Sequence, residues 1–125
     1  VLLIQRKNEP YQNHWALPGG YVNDFENPDD AAVRELFEET HVHANLEQLK
    51  VFGKPDRDPR GHVVSVAYVG FVDHSVQAMA ADDALNAQWF NVLELPQLAF
   101  DHDEIIAFAL QNNNIKNEIS HQKMG

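Results

Sequence analysis

The chain opens on a short apolar run, VLLIQ at 1–5, of the length expected for a buried strand. The polar stretch KNEPYQNH at 7–14 then reads as turn material. LPGG at 17–20 imposes an irregular backbone, because Pro18 lacks an N–H and glycine permits positive φ. Tyr21 and Val22 are expected to add a short strand.

From Asn27 the spacing of apolar positions changes to that of a helix. Asn27 suits the N-cap, Pro28 the first helical position, and Asp29 and Asp30 the positive end of the dipole. Ala32, Val33, Leu36 and Phe37 form the predicted apolar face, and the helix is expected to end near Thr40. Strands are predicted over Leu46–Lys54 and His62–Asp73, separated by the loop PDRDPRGH at 55–62. A loop at 77–86 leads to a short strand, Gln88–Val92. The last helix starts on a capping-box pattern, Asp101 with Glu104 three residues on, and buries Ile105, Ile106, Phe108, Ala109 and Leu110. Beyond Asn112 the composition turns polar, so the domain is placed at 1–112 and a polar tail at 113–125.

Interleaved strands and helices point to a layered α/β or mixed α+β fold. The 125 residues suffice for one domain with one core. A formal charge of −10 without a basic patch argues against duplex nucleic acid and anionic membrane surfaces as partners. No apolar run approaches the roughly 20 residues of a membrane helix, and no signal-peptide pattern occurs. The absence of cysteine excludes a disulfide framework and a thiolate metal site, and fits a cytoplasmic location. Val1 lies inside the first predicted strand, so further residues are expected upstream.

The chemistry concentrates in RELFEETHV at 34–42. At about 100° per residue, Glu35, Glu38 and Glu39 fall within one arc of roughly 100° beside the apolar face. Like charges at i and i+4 oppose each other. Either the face is solvated, or a divalent cation binds between the carboxylates. Mg²⁺, which takes oxygen ligands and retains several waters, suits the second reading.

The surrounding GYVNDFENPDDAAVRELFEETHV, from Gly20, resembles the signature of the Nudix hydrolases. That signature runs Gly, five residues, Glu, seven residues, Arg-Glu, an aliphatic, any residue, Glu-Glu, any residue, Gly, an aliphatic. Gly20, Glu26, Arg34, Glu35, Leu36, Glu38, Glu39 and Val42 fall in place. Six identities at fixed spacing arise by chance roughly once in ten million starts at average residue frequencies. His41 stands where the family has glycine, at a helix end where glycine serves a left-handed turn. Local strain or a shifted cap is expected there, without loss of metal ligands.

VLLIQRK, WALPGG and WFNVLELP extend the resemblance over residues 1 to about 110. It implies an α/β/α sandwich around a mixed β-sheet, with the family's first strand, which normally precedes the VLLIQ type, missing from this sequence. Family members hydrolyse a nucleoside diphosphate linked to another group. By resemblance, Glu35 and Glu39 are the principal ligands of Mg²⁺ (or Mn²⁺), Glu38 a third ligand or the base that orients water, and the carbonyl of Gly19 or Gly20 a further ligand. The cations would screen the pyrophosphate and acidify a water. Arg34 and Glu26 are expected to pair and fix the loop. Of Asp82 and Asp83, Asp83 is the better placed to add a carboxylate, although aspartates in such loops are commonly turn formers.

PDRDPRGHVVSVAYVGF and LAFDHDEIIAFAL resemble ADP-ribose pyrophosphatases and a related branch of ADP-ribose-sensing regulators. Arg57 and Arg60 are substrate-binding candidates through charge-assisted hydrogen bonds, or pair with Asp56 and Asp58 within their loop. Tyr21, Phe25 or Trp15 are candidates to stack on adenine, against a default of packing. Asp101 is read as a helix cap and His102 as a packing or surface residue. The leading reading is hydrolysis of ADP-ribose to AMP and ribose 5-phosphate. The alternatives are a non-catalytic ADP-ribose sensor and a housecleaning nucleoside-triphosphate pyrophosphohydrolase. In the sensor branch a winged-helix domain follows. None is expected after about residue 112, and the three retained glutamates favour the enzyme. The resemblance also implies a homodimer acting on a small nucleotide.

Overall fold

The computed structural model describes residues 1–73, 75–81, 84–112 and 115. In chain order these form β1 (Leu2–Arg6), β2 (Trp15–Ala16), α1 (Pro28–Thr40), β3 (Glu47–Phe52), β4 (Ser65–Val69), β5 (Ala84–Trp89) and α2 (His102–Gln111).

β1 is the middle strand of an antiparallel sheet ordered β2-β1-β5. Leu2, Leu3 and Ile4 are all buried, as a central strand covered on both faces requires. Ile4 faces Ala16 on one side and Ala87 on the other. Between Gln5 and Arg6 the register with β5 slips, so that Arg6 pairs with Ala84. A parallel bridge, Trp15 to Leu98, extends this sheet and gives it its mixed character. Ile4, Ala16 and Ala99 form a buried cluster, with Tyr11 and Phe100 packed against it.

β3 and β4 form a second antiparallel pair. Phe52 meets Phe108 of α2 edge to face, with ring centroids 6.0 Å apart. Asp29 in the first turn of α1 accepts hydrogen bonds from Gln48 of β3 and Tyr68 of β4. The helix that carries the glutamates is thereby tied to the second strand pair.

The expected sandwich of helices and sheet is present, with local differences. Tyr21 and Val22 are exposed loop residues, not a strand. β4 is shorter than predicted and stops before Gly70, where a Cβ would lie 2.5 Å from the Asn45 carbonyl oxygen. β5 begins at Ala84, inside the predicted loop. On α1, Ala31 and Thr40 are buried, whereas Phe37 is largely exposed and stacks on His43 at 4.2 Å. Of the predicted tail only Ile115 is described, and it is buried.

Candidate active site

The first turn of α1 is closed by Asn27, whose Oδ1 accepts the Asp30 N–H at 2.8 Å. At the other end His41 adopts the left-handed conformation (φ 60°) and donates its N–H to the Phe37 carbonyl at 2.8 Å. The cap is therefore kept by histidine in the glycine position. Thr40 is buried. Its hydroxyl donates to the Leu36 carbonyl at 2.6 Å and accepts from the Val42 N–H at 3.2 Å. A strap from Met79 to Ala81 donates backbone hydrogen bonds to the Thr40 and Glu39 carbonyls. Both ends of the glutamate helix are thus fixed.

Arg34 organises the edge of that helix. Its Nε and Nη2 donate to both oxygens of Glu26 at 2.8 and 2.9 Å, and Nη2 also donates to the Tyr21 carbonyl at 3.0 Å. Nη1 donates to Glu35 at 2.7 Å and to Glu38 at 3.0 Å. The fork shape of guanidinium makes this two-sided clamp possible. The Arg34 hydrogen bonds, and next the Asn23 N–H at 3.0 Å, hold the Glu26 carboxyl below the usual carboxylate range. Glu26, and after it Glu35, push Arg34 further up. The expected Arg34–Glu26 pair is therefore present, and it fastens the loop at 21–26 to α1.

The two glycines of LPGG each meet one glutamate. The Gly19 N–H donates to Glu39 Oε2 at 3.1 Å. A Cβ on Gly20 would lie 2.5–2.7 Å from the Glu35 carboxylate, so only glycine lets that side chain approach the loop. Glu35, Glu38, Glu39 and the backbone of Gly19 and Gly20 therefore share one edge.

Among the described residues no three acidic or histidine side chains converge as a preformed metal cluster. Arg34 supplies the positive charge between Glu35 and Glu38. The donor chemistry nonetheless suits a hard divalent ion, being oxygen throughout. Glu35 and Glu38 each give Arg34 one oxygen, and the second oxygen of each has no hydrogen-bond partner among the described residues. Asp82 and Asp83 lie outside the described residues.

Of the two arginines of the 55–62 loop, Arg60 pairs within the loop, as one of the two readings expected, and Arg57 does not. Arg57 is buried, with a side chain only 4% exposed. Its Nε and Nη2 donate to Asp101 at 2.9 and 2.7 Å, and its Nη1 donates to Ser65 Oγ at 2.6 Å and the Val63 carbonyl at 3.3 Å. Four of the five guanidinium N–H groups are committed to the protein, and the ion-pair partner is Asp101 rather than a loop neighbour. For the same reason Asp101 makes no side-chain cap for α2. Burial would raise the Asp101 carboxyl, but Arg57 reverses this and leaves it below its ordinary value. Arg60 pairs with the buried Asp58 through Nε at 3.0 Å and Nη2 at 2.7 Å, and its side chain stays half exposed. Trp15 packs on Phe90 at 4.8 Å, whereas Tyr21 and Phe25 are exposed.

His102 carries a role that sequence reasoning missed. Its Nδ1 accepts the Leu17 N–H at 2.9 Å across 85 residues. This fixes the neutral tautomer with hydrogen on Nε2 and anchors the entry to LPGG. Burial, then Arg57 and Arg6 opposed by Asp101, pushes the imidazole down to about 4.

The sequence profile of the NUDIX domain matches residues 1–109. The chain belongs to the Nudix family. This Nudix chain is 46% identical over 107 residues to the ADP-ribose pyrophosphatase of Methanocaldococcus jannaschii, covering 85% of this chain and 63% of that protein. Its fold matches the MutT/nudix family protein of Enterococcus faecalis with TM-score 0.82 and 40% identity, over 93% of this chain and 54% of the other. It also matches the NUDIX domain of Shewanella oneidensis NrtR in complex with ADP ribose, with TM-score 0.77 and 34% identity, over 86% and 73% of the two chains. The Nudix chain thus spans somewhat over half the length of the first two.

Proposed function

We propose that this Nudix domain is a Mg²⁺-dependent pyrophosphohydrolase of nucleoside diphosphate derivatives, with ADP-ribose as substrate and AMP and ribose 5-phosphate as products. The observation that carries the reading is the glutamate edge itself. Glu39 and Glu35 on α1 each meet one of two consecutive glycines, and Arg34 holds Glu35 and Glu38 on the same edge, in a chain similar to an ADP-ribose pyrophosphatase.

A divalent ion held by Glu35, Glu38, Glu39 and the Gly19 or Gly20 carbonyl would neutralise the diphosphate and acidify water. Arg34 and Glu26 keep the carboxylates aimed, and Glu38, the most exposed of the three, is the candidate to orient the attacking water. Asp83 is a further carboxylate of the same reading. Arg60, with part of its edge exposed, and Tyr21 are the proposed substrate contacts. Homodimerisation and a cytoplasmic location belong to the same reading on the family resemblance. Among the described residues no helix is long and apolar enough to cross a membrane.

The test is incubation with Mg²⁺ and ADP-ribose, NDP-sugars, dinucleotides or nucleoside triphosphates, following AMP or phosphate release. Glu39→Gln should lower ADP-ribose turnover at least about 10²-fold, the scale of one positioned charge. Similarity to NrtR bound to ADP ribose favours a second reading, a sensor. Tight ADP-ribose binding without products from wild type would establish that one instead.

A further inference from the structure

Of the four arginines, Arg34, Arg57 and Arg60 are each in a carboxylate pair. Arg6 is not among the described residues' ion pairs. It is half-buried, at the end of β1, and its Nε donates to the Pro10 carbonyl at 2.7 Å. Its Nη1 and Nη2 have no hydrogen-bond partner among the described residues. No fully buried side-chain nitrogen or oxygen there lacks a partner, so this terminal edge opens to solvent. A partly desolvated cation is normally paired, and this one makes no ion pair among the described residues.

The setting is organised. The Arg6 guanidinium lies 4.9 Å from the centroid of Phe100, and that of Arg60 lies 5.4 Å from the same ring. Aromatic faces attract cations and hold them in place. Phe100 has φ 53°, an outlier for a bulky residue of the kind that concentrates at functional sites. Tyr11 fixes its ring at 4.8 Å. The register slip between Gln5 and Arg6 redirects the strand end at this point. Arg6 is also within electrostatic range of Arg60 and of the Asp58, Glu39 and Glu9 carboxylates. Two like charges are thus gathered on one ring beside the glutamate edge, in a chain of net charge −10.

We propose that Arg6, seated on Phe100 and assisted by Arg60, is an anion-binding residue that takes the diphosphate of the substrate. The placement beside the catalytic edge rests on the hydrolase reading, whereas the anion binding does not. The free Nη edge would donate two charge-assisted hydrogen bonds to phosphate oxygens while the cations of the glutamate edge act on the other side.

The experiment is calorimetric titration of the metal-free protein with inorganic pyrophosphate and with ADP-ribose, adenosine serving as the uncharged control. Wild type should bind both anions. Arg6→Gln should weaken them about tenfold or more, the worth of one charged hydrogen bond, with adenosine affinity unchanged. Arg6→Lys should recover part of the loss. NMR of wild type gives a reading that needs no variant, since the Arg6 side-chain N–H signals should shift on adding pyrophosphate. Wild type that binds neither anion, Arg6 signals that stay put at saturation, or a folded Arg6→Gln with undiminished affinity would each overturn the proposal. Because no metal or turnover is involved, an enzyme that hydrolyses nothing would defeat the hydrolase reading and leave this one standing.

Discussion

At the residue scale the like charges of α1 are handled by a side chain from the same helix. Arg34 sits between Glu35 and Glu38 with its other edge on Glu26, so the site is held together before any cation enters. His102 solves a different problem, because the Leu17 N–H needs an acceptor where water is scarce. Its imidazole is pushed down to about 4 against a usual 6.5, so between these values the unfolded chain binds a proton that the folded chain refuses. Stability should therefore be full above pH 6.5 and fall as pH drops towards 4, by about 3 kcal/mol in all. Urea unfolding at pH 7 and pH 4.5 measures this. In His102→Asn, which can still accept from Leu17 but does not titrate, this part of the drop should vanish. An unchanged drop would show that other groups cause it.

At the scale of elements, α1 is defined by its ends. His41 holds the left-handed cap at a cost that glycine would not carry, roughly 1 kcal/mol. His41→Gly should raise stability by about that much in denaturant unfolding, less the tilted contact between His41 and Phe37 at 5.5 Å. A destabilised variant would mean that the ring contact outweighs the backbone. The bounds of α1 were legible because Asn27, Pro28 and Thr40 act on neighbours in sequence. β5 was misplaced because ALNAQW shows no regular apolar–polar alternation and acquires strand geometry by pairing with β1. The clustering of the glutamates could be read from spacing, and the Arg34–Glu26 pair from the resemblance of one loop-helix unit to the Nudix signature. Arg6, His102 and the true partner of Arg57 could not, since each depends on a residue far along the chain: Phe100, Leu17 and Asp101. For Asp101 the local pattern was misleading, because a capping-box aspartate and an ion-pair aspartate look alike in sequence.

At the scale of the molecule these long-range contacts form one chain of supports. The loop at 55–62 and β4 hold Arg57, Arg57 holds Asp101, the adjacent His102 holds Leu17, and the glycines beyond Leu17 meet Glu39 and Glu35. The 55–62 loop is thus tied to the glutamate edge through the start of α2. The buried Arg57–Asp101 pair is the link most open to test. Removing one partner of such a pair leaves a desolvated charge and typically costs about 3–5 kcal/mol, whereas replacing both costs far less. Arg57→Met and Asp101→Asn should each destabilise strongly in urea unfolding, and the double variant should recover a large share, giving a coupling of about 2 kcal/mol or more. Additive losses would mean that Arg57 does not depend on Asp101. A stable Arg57→Met that lost ADP-ribose affinity would return Arg57 to the substrate-binding role its loop position suggests.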